Sequence, residues 1–135
     1  MKTATIKQSV TFSASPEKVY ELIMDQKKHA AFTGSAAIMT KKIKAVFNVF
    51  DGYCHGYNIE LIEGKKIVQA WHFDEDGWPE EHFSICTFLF EPSGDKTRLS
   101  FTQTGVPANT VVSLKNGWKE YYWEPMKDYL KANPE

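Results

Sequence analysis

The sequence predicts an α+β fold in which a curved antiparallel β-sheet wraps around a long C-terminal α-helix, with two short helices after the first strand. Two periodicities carry that expectation. From about residue 43 to 103, short alternating runs are separated by turn pairs such as Asp51-Gly52 and Glu63-Gly64, the pattern of an antiparallel meander. After Pro107 the apolar residues recur at spacings of three and four, which is the stripe of an amphipathic helix. That stripe needs a cover, and the sheet is the surface available to provide it. A twisted sheet does not follow a helix evenly along its length, so a cleft is expected at one end of the helix.

The elements follow in order. Residues 4–12 alternate, with Ile6, Val10 and Phe12 on one parity, Thr5, Lys7, Ser9 and Thr11 on the other, and Gln8 on the apolar side; period two marks a half-buried strand. Ser15 supplies an N-cap oxygen and Pro16 a pre-set first helical residue for a helix carrying Val19, Leu22 and Ile23. Asp25 caps a second short helix through His29, Ala30, Ala31 and Phe32, which Thr33-Gly34 ends. Ala45 to Phe50 and Tyr53 to Ile62 read as a hairpin around Asp51-Gly52, with Tyr57, Ile59 and Leu61 sharing a parity. Lys66 to Phe73 is the next strand, residues 74–80 a connection, and His82 to Phe90 with Thr97 to Gln103 a further hairpin. The helical stripe then takes in Val111, Leu114, Trp118, Tyr121, Tyr122, Met126, Tyr129 and Leu130. Pro125 falls inside it, so a kink or a lost hydrogen bond near Tyr121 is expected, at a cost of ~3 kcal/mol if nothing compensates.

A chain of 135 residues, 42% hydrophobic and 24% charged, has the length and composition of one soluble globular domain. Its 16 basic and 17 acidic residues nearly cancel, and Arg98 is the one arginine. Planar forks for phosphate or base edges are therefore scarce, and no nucleic-acid partner is expected. Lys41, Lys42 and Lys44 read as a solvated sheet edge. The opening MKTATIKQSV has no apolar run of the signal-peptide or spanning kind, so the expectation is a cytoplasmic protein without stable membrane insertion. Cys54 and Cys86 are read as reduced structural thiols.

Several runs are familiar as a set. IVQAWHF (67–73), WPEEHFSI (78–85), GVP (105–107) and GWKEYYWEPMKDYL (117–130), with AAFTGSAA at 30–37 and FDG at 50–52, resemble the C-terminal domain of the activators of the 90 kDa heat-shock chaperone's ATPase. That family lies within the START and birch-pollen-allergen (SRPBCC) superfamily. The resemblance implies the helix-grip fold, in agreement with the order of elements above. It also implies a heat-shock chaperone as partner. Superfamily members elsewhere bind lipids and hormones or cyclise polyketides, and the fold by itself does not choose among these.

Aromatic residues make up 14% of the chain and concentrate in elements that should face one another. Trp71, Phe83, Trp118 and Tyr122 are candidates for a pocket wall, joined by Phe32 and Tyr57, while Gln8 and Gln103 lie on apolar parities as inward amides in need of partners; Gln69 joins them if Ile67 and Trp71, and not Val68 and Ala70, mark the inward parity of its strand. The same rings also suit a filled core. The expected function is binding of a hydrophobic or amphipathic small molecule between helix and sheet. The alternatives are a cochaperone-like interaction module and a polyketide-cyclase-like enzyme, for which His72, Glu60 and Tyr57 are the nominees. No catalytic residue is assigned, since no nucleophile-elbow, zincin, P-loop or Cys-x-x-Cys pattern is present. Neighbouring Cys54 and His55 point to opposite faces of a strand, and His72 with His82 does not resemble a closed zinc site, so no metal or other cofactor is expected. The acidic run Asp74, Glu75, Asp76, Glu80 and Glu81 around Trp78-Pro79 reads as a solvated loop, or else as an interaction surface with the tryptophan as anchor.

Overall fold

The opening alternation becomes strand β1 (Thr3–Phe12) in the computed structural model, which describes residues 1–134. Two short helices follow, α1 (Pro16–Met24) and α2 (Gln26–Thr33). The Ser15 hydroxyl accepts from the Lys18 amide at 3.3 Å and the Asp25 carboxylate from the Lys28 amide at 3.0 Å, satisfying backbone donors that an N-terminus leaves free. Gly34 ends α2 in the left-handed region at φ 75°, where a side chain would be strained.

The remaining strands are β2 (Val46–Val49), β3 (Cys54–Ile62), β4 (Lys66–Phe73), β5 (Ser84–Ser93) and β6 (Lys96–Pro107). All pair antiparallel in the order β1-β6-β5-β4-β3-β2. β1 and β2 are therefore opposite edges, and α1 with α2 carries the chain between them. Register shifts interrupt β1 at Ala4/Ile6 and β3 at Asn58/Glu60, and such bulges add bend and twist to a sheet.

The β3 parity reverses the expectation. Cys54, Gly56 and Asn58 are the buried set, whereas Tyr57 and Ile59 are exposed. The reason is steric. Phe47 and Trp71 approach within 5.1 Å across this strand, and a Cβ at Gly56 would overlap the Ala70 carbonyl and crowd the Phe47 ring. Only a residue without a side chain lets those rings meet there. On β4, Ile67, Gln69, Trp71 and Phe73 are buried on one parity, so Gln69 does face inward.

A short 3-10 turn at Ala108–Thr110 leads into the C-terminal helix, which runs through α3 (Val111–Trp118), one π-turn (Lys119–Trp123) and α4 (Glu124–Ala132). The backbone stays right-handed helical at both junctions, with φ −66° at Lys119 and −69° at Glu124. The Glu124 amide donates to the Lys119 carbonyl, five residues back. That wider turn stands immediately before Pro125, which takes a first-turn position of α4, where a missing N–H is tolerated. The expected kink is thus a π-turn.

The extra residue also changes which side chains face the sheet. Residues 118 and 123 come one above the other, and the rings of Trp118 and Trp123 stack at 5.5 Å with 19° between planes. Trp123 joins the core, and Tyr121, assigned to the stripe by α-helical spacing, is turned out and 52% exposed. Among the described residues no helix is long and apolar enough to cross a membrane.

Candidate functional site

The space under the helix is filled by side chains. Trp118 lies 4.4 Å from Phe101, 5.1 Å from Trp71 and 6.0 Å from Phe88 in ring centroids, and all four residues are buried. Each inward glutamine accepts a tryptophan N–H. Gln103 Oε1 takes Trp118 Nε1 at 2.8 Å, Gln8 Oε1 takes Trp123 Nε1 at 2.8 Å, and Gln69 Oε1 takes Trp71 Nε1 at 2.9 Å. The amide nitrogens are committed as well. Gln103 donates to Ser84 Oγ, Gln8 to the Lys115 carbonyl, and Gln69 to Asn58 Oδ1. Asn58 passes the network on to the carbonyls of Thr40 and Lys42 at 2.7 and 2.9 Å.

What opens to solvent is a cleft of about 490 Å³ at the α3 end, between the helix and the β2–β3 turn, within the range of small-molecule sites. Phe50, Tyr53, Phe73, Trp118, Tyr121 and Tyr122 form its walls, with Ser35, Ser113 and Glu75 as polar points. Phe50 meets Tyr121 and Tyr122 edge-on at 5.9 and 5.7 Å. The Tyr53 hydroxyl donates to Glu75 Oε1 at 2.8 Å. Burial and that bond push the phenol above its ordinary pKa. Burial likewise raises Cys54, so the thiol lining the cleft is protonated at neutral pH and a poor nucleophile.

Of the residues named from sequence, Trp118 and Tyr122 line this cleft. Phe32 stands behind Tyr122, edge-on at 5.6 Å, and Trp71 lies beneath Trp118. Gln8 and Gln69 are occupied by indoles. Tyr57 and Phe83 are elsewhere: they pack on each other at 5.6 Å on the outer face of the sheet, because the inward β3 positions are 54, 56 and 58. Of His72, Glu60 and Tyr57, none lines the cleft, and Glu60 pairs with Lys66 at 3.1 Å. Trp78 is not a free anchor. It is 7% exposed, packs on Phe73 at 5.0 Å and donates to the His82 carbonyl at 2.7 Å, leaving Asp74, Asp76, Glu80 and Glu81 exposed around it. Sequence reasoning missed Phe50, Tyr53, Phe73 and Tyr121 as cleft residues; for Phe50 and Tyr53 the available signal was a pair of aromatics on either side of Asp51-Gly52.

Behind Tyr122 lies His29, a fully buried residue of α2 that packs against the π-turn. Its Nδ1 is 2.8 Å from the Ile23 carbonyl and its Nε2 2.8 Å from the Tyr122 hydroxyl. A carbonyl can only accept, so Nδ1 carries the proton and Nε2 accepts from Tyr122. Burial drives the His29 pKa down to about 4, only partly opposed by the bond to Ile23.

A six-stranded antiparallel sheet closed over a long C-terminal helix defines a helix-grip protein. The chain belongs to the family described as activator of Hsp90 ATPase homolog 1-like protein, whose model matches residues 13–131. It is similar to the Homo sapiens activator of 90 kDa heat shock protein ATPase homolog 1, 33% identical over 125 residues that cover 93% of this chain and 36% of that protein. It is also similar to the Dictyostelium discoideum activator homolog, 30% identical over 126 residues covering 93% and 32% respectively. The chain thus spans about a third of the length of these relatives. The same fold occurs in a crystal structure of an HSP90 activator from Plasmodium falciparum, with a TM-score of 0.86, 24% identity, and coverage of 94% of this chain and 96% of that one.

His29 makes stability pH-dependent in a defined direction. The unfolded chain takes up a proton near the ordinary value of 6.5, whereas the native imidazole resists until about pH 4. The native state is therefore penalised as pH falls through that window, by up to about 3 kcal/mol from this group. Urea unfolding at pH 7, 5.5 and 4 should show that loss, and a His29→Gln variant should lose about that much less over the same interval.

Proposed function

We propose that the chain is a cochaperone-like partner that contacts a 90 kDa heat-shock chaperone and stimulates its ATPase. The observation that carries this reading is the 33% identity to the human activator over 93% of the chain. The packing fits it. A helix-sheet interface filled by interlocked rings and paired amides makes a stiff body, and stiff surfaces lose little conformational entropy on docking. The loop at 74–81 adds an acidic surface held in place by the buried Trp78.

Added to a 90 kDa heat-shock chaperone, the protein is expected to raise ATP turnover in a saturable manner. Unchanged turnover together with no complex at about micromolar concentrations would remove this reading.

A second reading rests on the cleft. Its volume of about 490 Å³ and its aromatic walls with Ser35, Ser113 and Glu75 at the edge suit a small amphipathic molecule. Native mass spectrometry of freshly purified protein, with a thermal-shift screen of lipophilic compounds, should reveal a ligand. The shift should vanish in Tyr121→Ala, a change at a half-exposed position that leaves the core intact. If nothing copurifies and no compound raises Tm, the cleft is not a ligand site.

A further inference from the structure

The outer face of the sheet carries a pair of imidazoles that neither reading uses. His55 on β3 stands directly opposite His72 on β4. The bulge at Asn58/Glu60 is what brings them together, since the register set beyond it by Ile62 opposite Lys66 would otherwise place His72 across from Gly56. Their ring centroids are 4.8 Å apart, with 38° between planes.

We propose that His55 and His72 form a binding site for one divalent transition-metal ion of the imidazole-preferring kind, Cu²⁺, Ni²⁺ or Zn²⁺. The His72 Nδ1 is 2.9 Å from the His82 carbonyl, which can only accept, so the proton sits on Nδ1 and the Nε2 lone pair is free. Among the described residues Nε2 has no hydrogen-bond partner. A histidine whose second nitrogen donates to a backbone carbonyl is oriented and made more basic for metal ligation.

The surroundings hold this geometry. His72 is 7% exposed and lies against Trp78 at 6.1 Å and Phe83 at 5.9 Å. Phe83 also backs His55 at 5.8 Å. His82 serves as support and not as a third ligand, because its Nε2 donates to the Gly105 carbonyl at 2.6 Å. His55 is exposed and makes no side-chain hydrogen bond among the described residues, so it can turn toward a shared ion. With metal–nitrogen bonds of about 2.0–2.1 Å the two nitrogens need to be ~3 Å apart, and of the two rings, whose centroids stand 4.8 Å apart, the exposed His55 is the one free to rotate toward that spacing. Two neutral nitrogens with water in the remaining positions favour Cu²⁺, Ni²⁺ and Zn²⁺ over the oxygen-seeking Mg²⁺ and Ca²⁺.

The test is a calorimetric titration of untagged protein with NiCl₂ at pH 7.5, with MgCl₂ as control and the thermal unfolding of each mixture recorded. One Ni²⁺ per chain and a raised Tm are expected, with no response to Mg²⁺. His55→Gln removes one ligand from an exposed position and should weaken Ni²⁺ binding by at least about tenfold, with Tm in the absence of metal unchanged. His72→Gln should weaken Ni²⁺ binding to a similar extent, with a lower Tm in the absence of metal, because it also removes a buried ring held by the His82 carbonyl. Absence of saturable Ni²⁺ binding by the parent protein, or equal affinity in His55→Gln, would overturn the site.

Discussion

A buried indole N–H has no water to donate to, and this fold answers that constraint three times with a glutamine. Trp118 and Trp123 come from the helix, and their partners Gln103 and Gln8 come from β6 and β1, so each bond fixes the helix against a different strand. Trp71 and Gln69 share a face of β4, and Gln69 extends the link through Asn58 to the loop before β2. An indole or amide left without its partner there costs about 1–3 kcal/mol. That asymmetry, more than the gain from each bond, is what holds the helix to one rotation and one depth.

The π-turn is the backbone counterpart of those pairs. It accommodates Pro125, and by adding one residue to the turn it places Trp118 and Trp123 in one stack, each above its own glutamine. The same rotation sends Tyr121 outward to the edge of the cleft beside Phe50. Core and cleft are two results of one local expansion. π-turns occur often at functional sites, and this one has cleft residues Tyr121 and Tyr122 within it.

Much of this was legible in the sequence. Turn pairs at Asp51-Gly52 and Glu63-Gly64 delimit β2, β3 and β4, Ser15 and Asp25 cap the helices they were expected to cap, and the change of period after Pro107 marks the helix. The family resemblance carried by IVQAWHF and GWKEYYWEPMKDYL is matched by the family model over residues 13–131. The polar positions on apolar parities were recognisable as amides needing partners, but the tryptophans that satisfy them lie up to 115 residues away in sequence. Local pattern does not encode such distances. β3 misled because Tyr57 and Ile59 imitate a buried set, while the inward positions before the bulge are small or polar so that rings from neighbouring strands can close over them; beyond the bulge Leu61 does pack against the core. The pairing of His55 with His72 was hidden for a related reason: a single bulged residue moves the register by one.

The claim that indole–glutamine pairing fixes the helix on the sheet is tested most directly by a double-mutant cycle on Gln103 and Trp118, read by urea unfolding of the parent, Gln103→Leu, Trp118→Phe and the double variant. Each single change strands a buried partner and the double change strands neither, so the double variant should lose about 1–2 kcal/mol less than the two single losses added together. Additive losses, with no coupling between the two positions, would contradict the account.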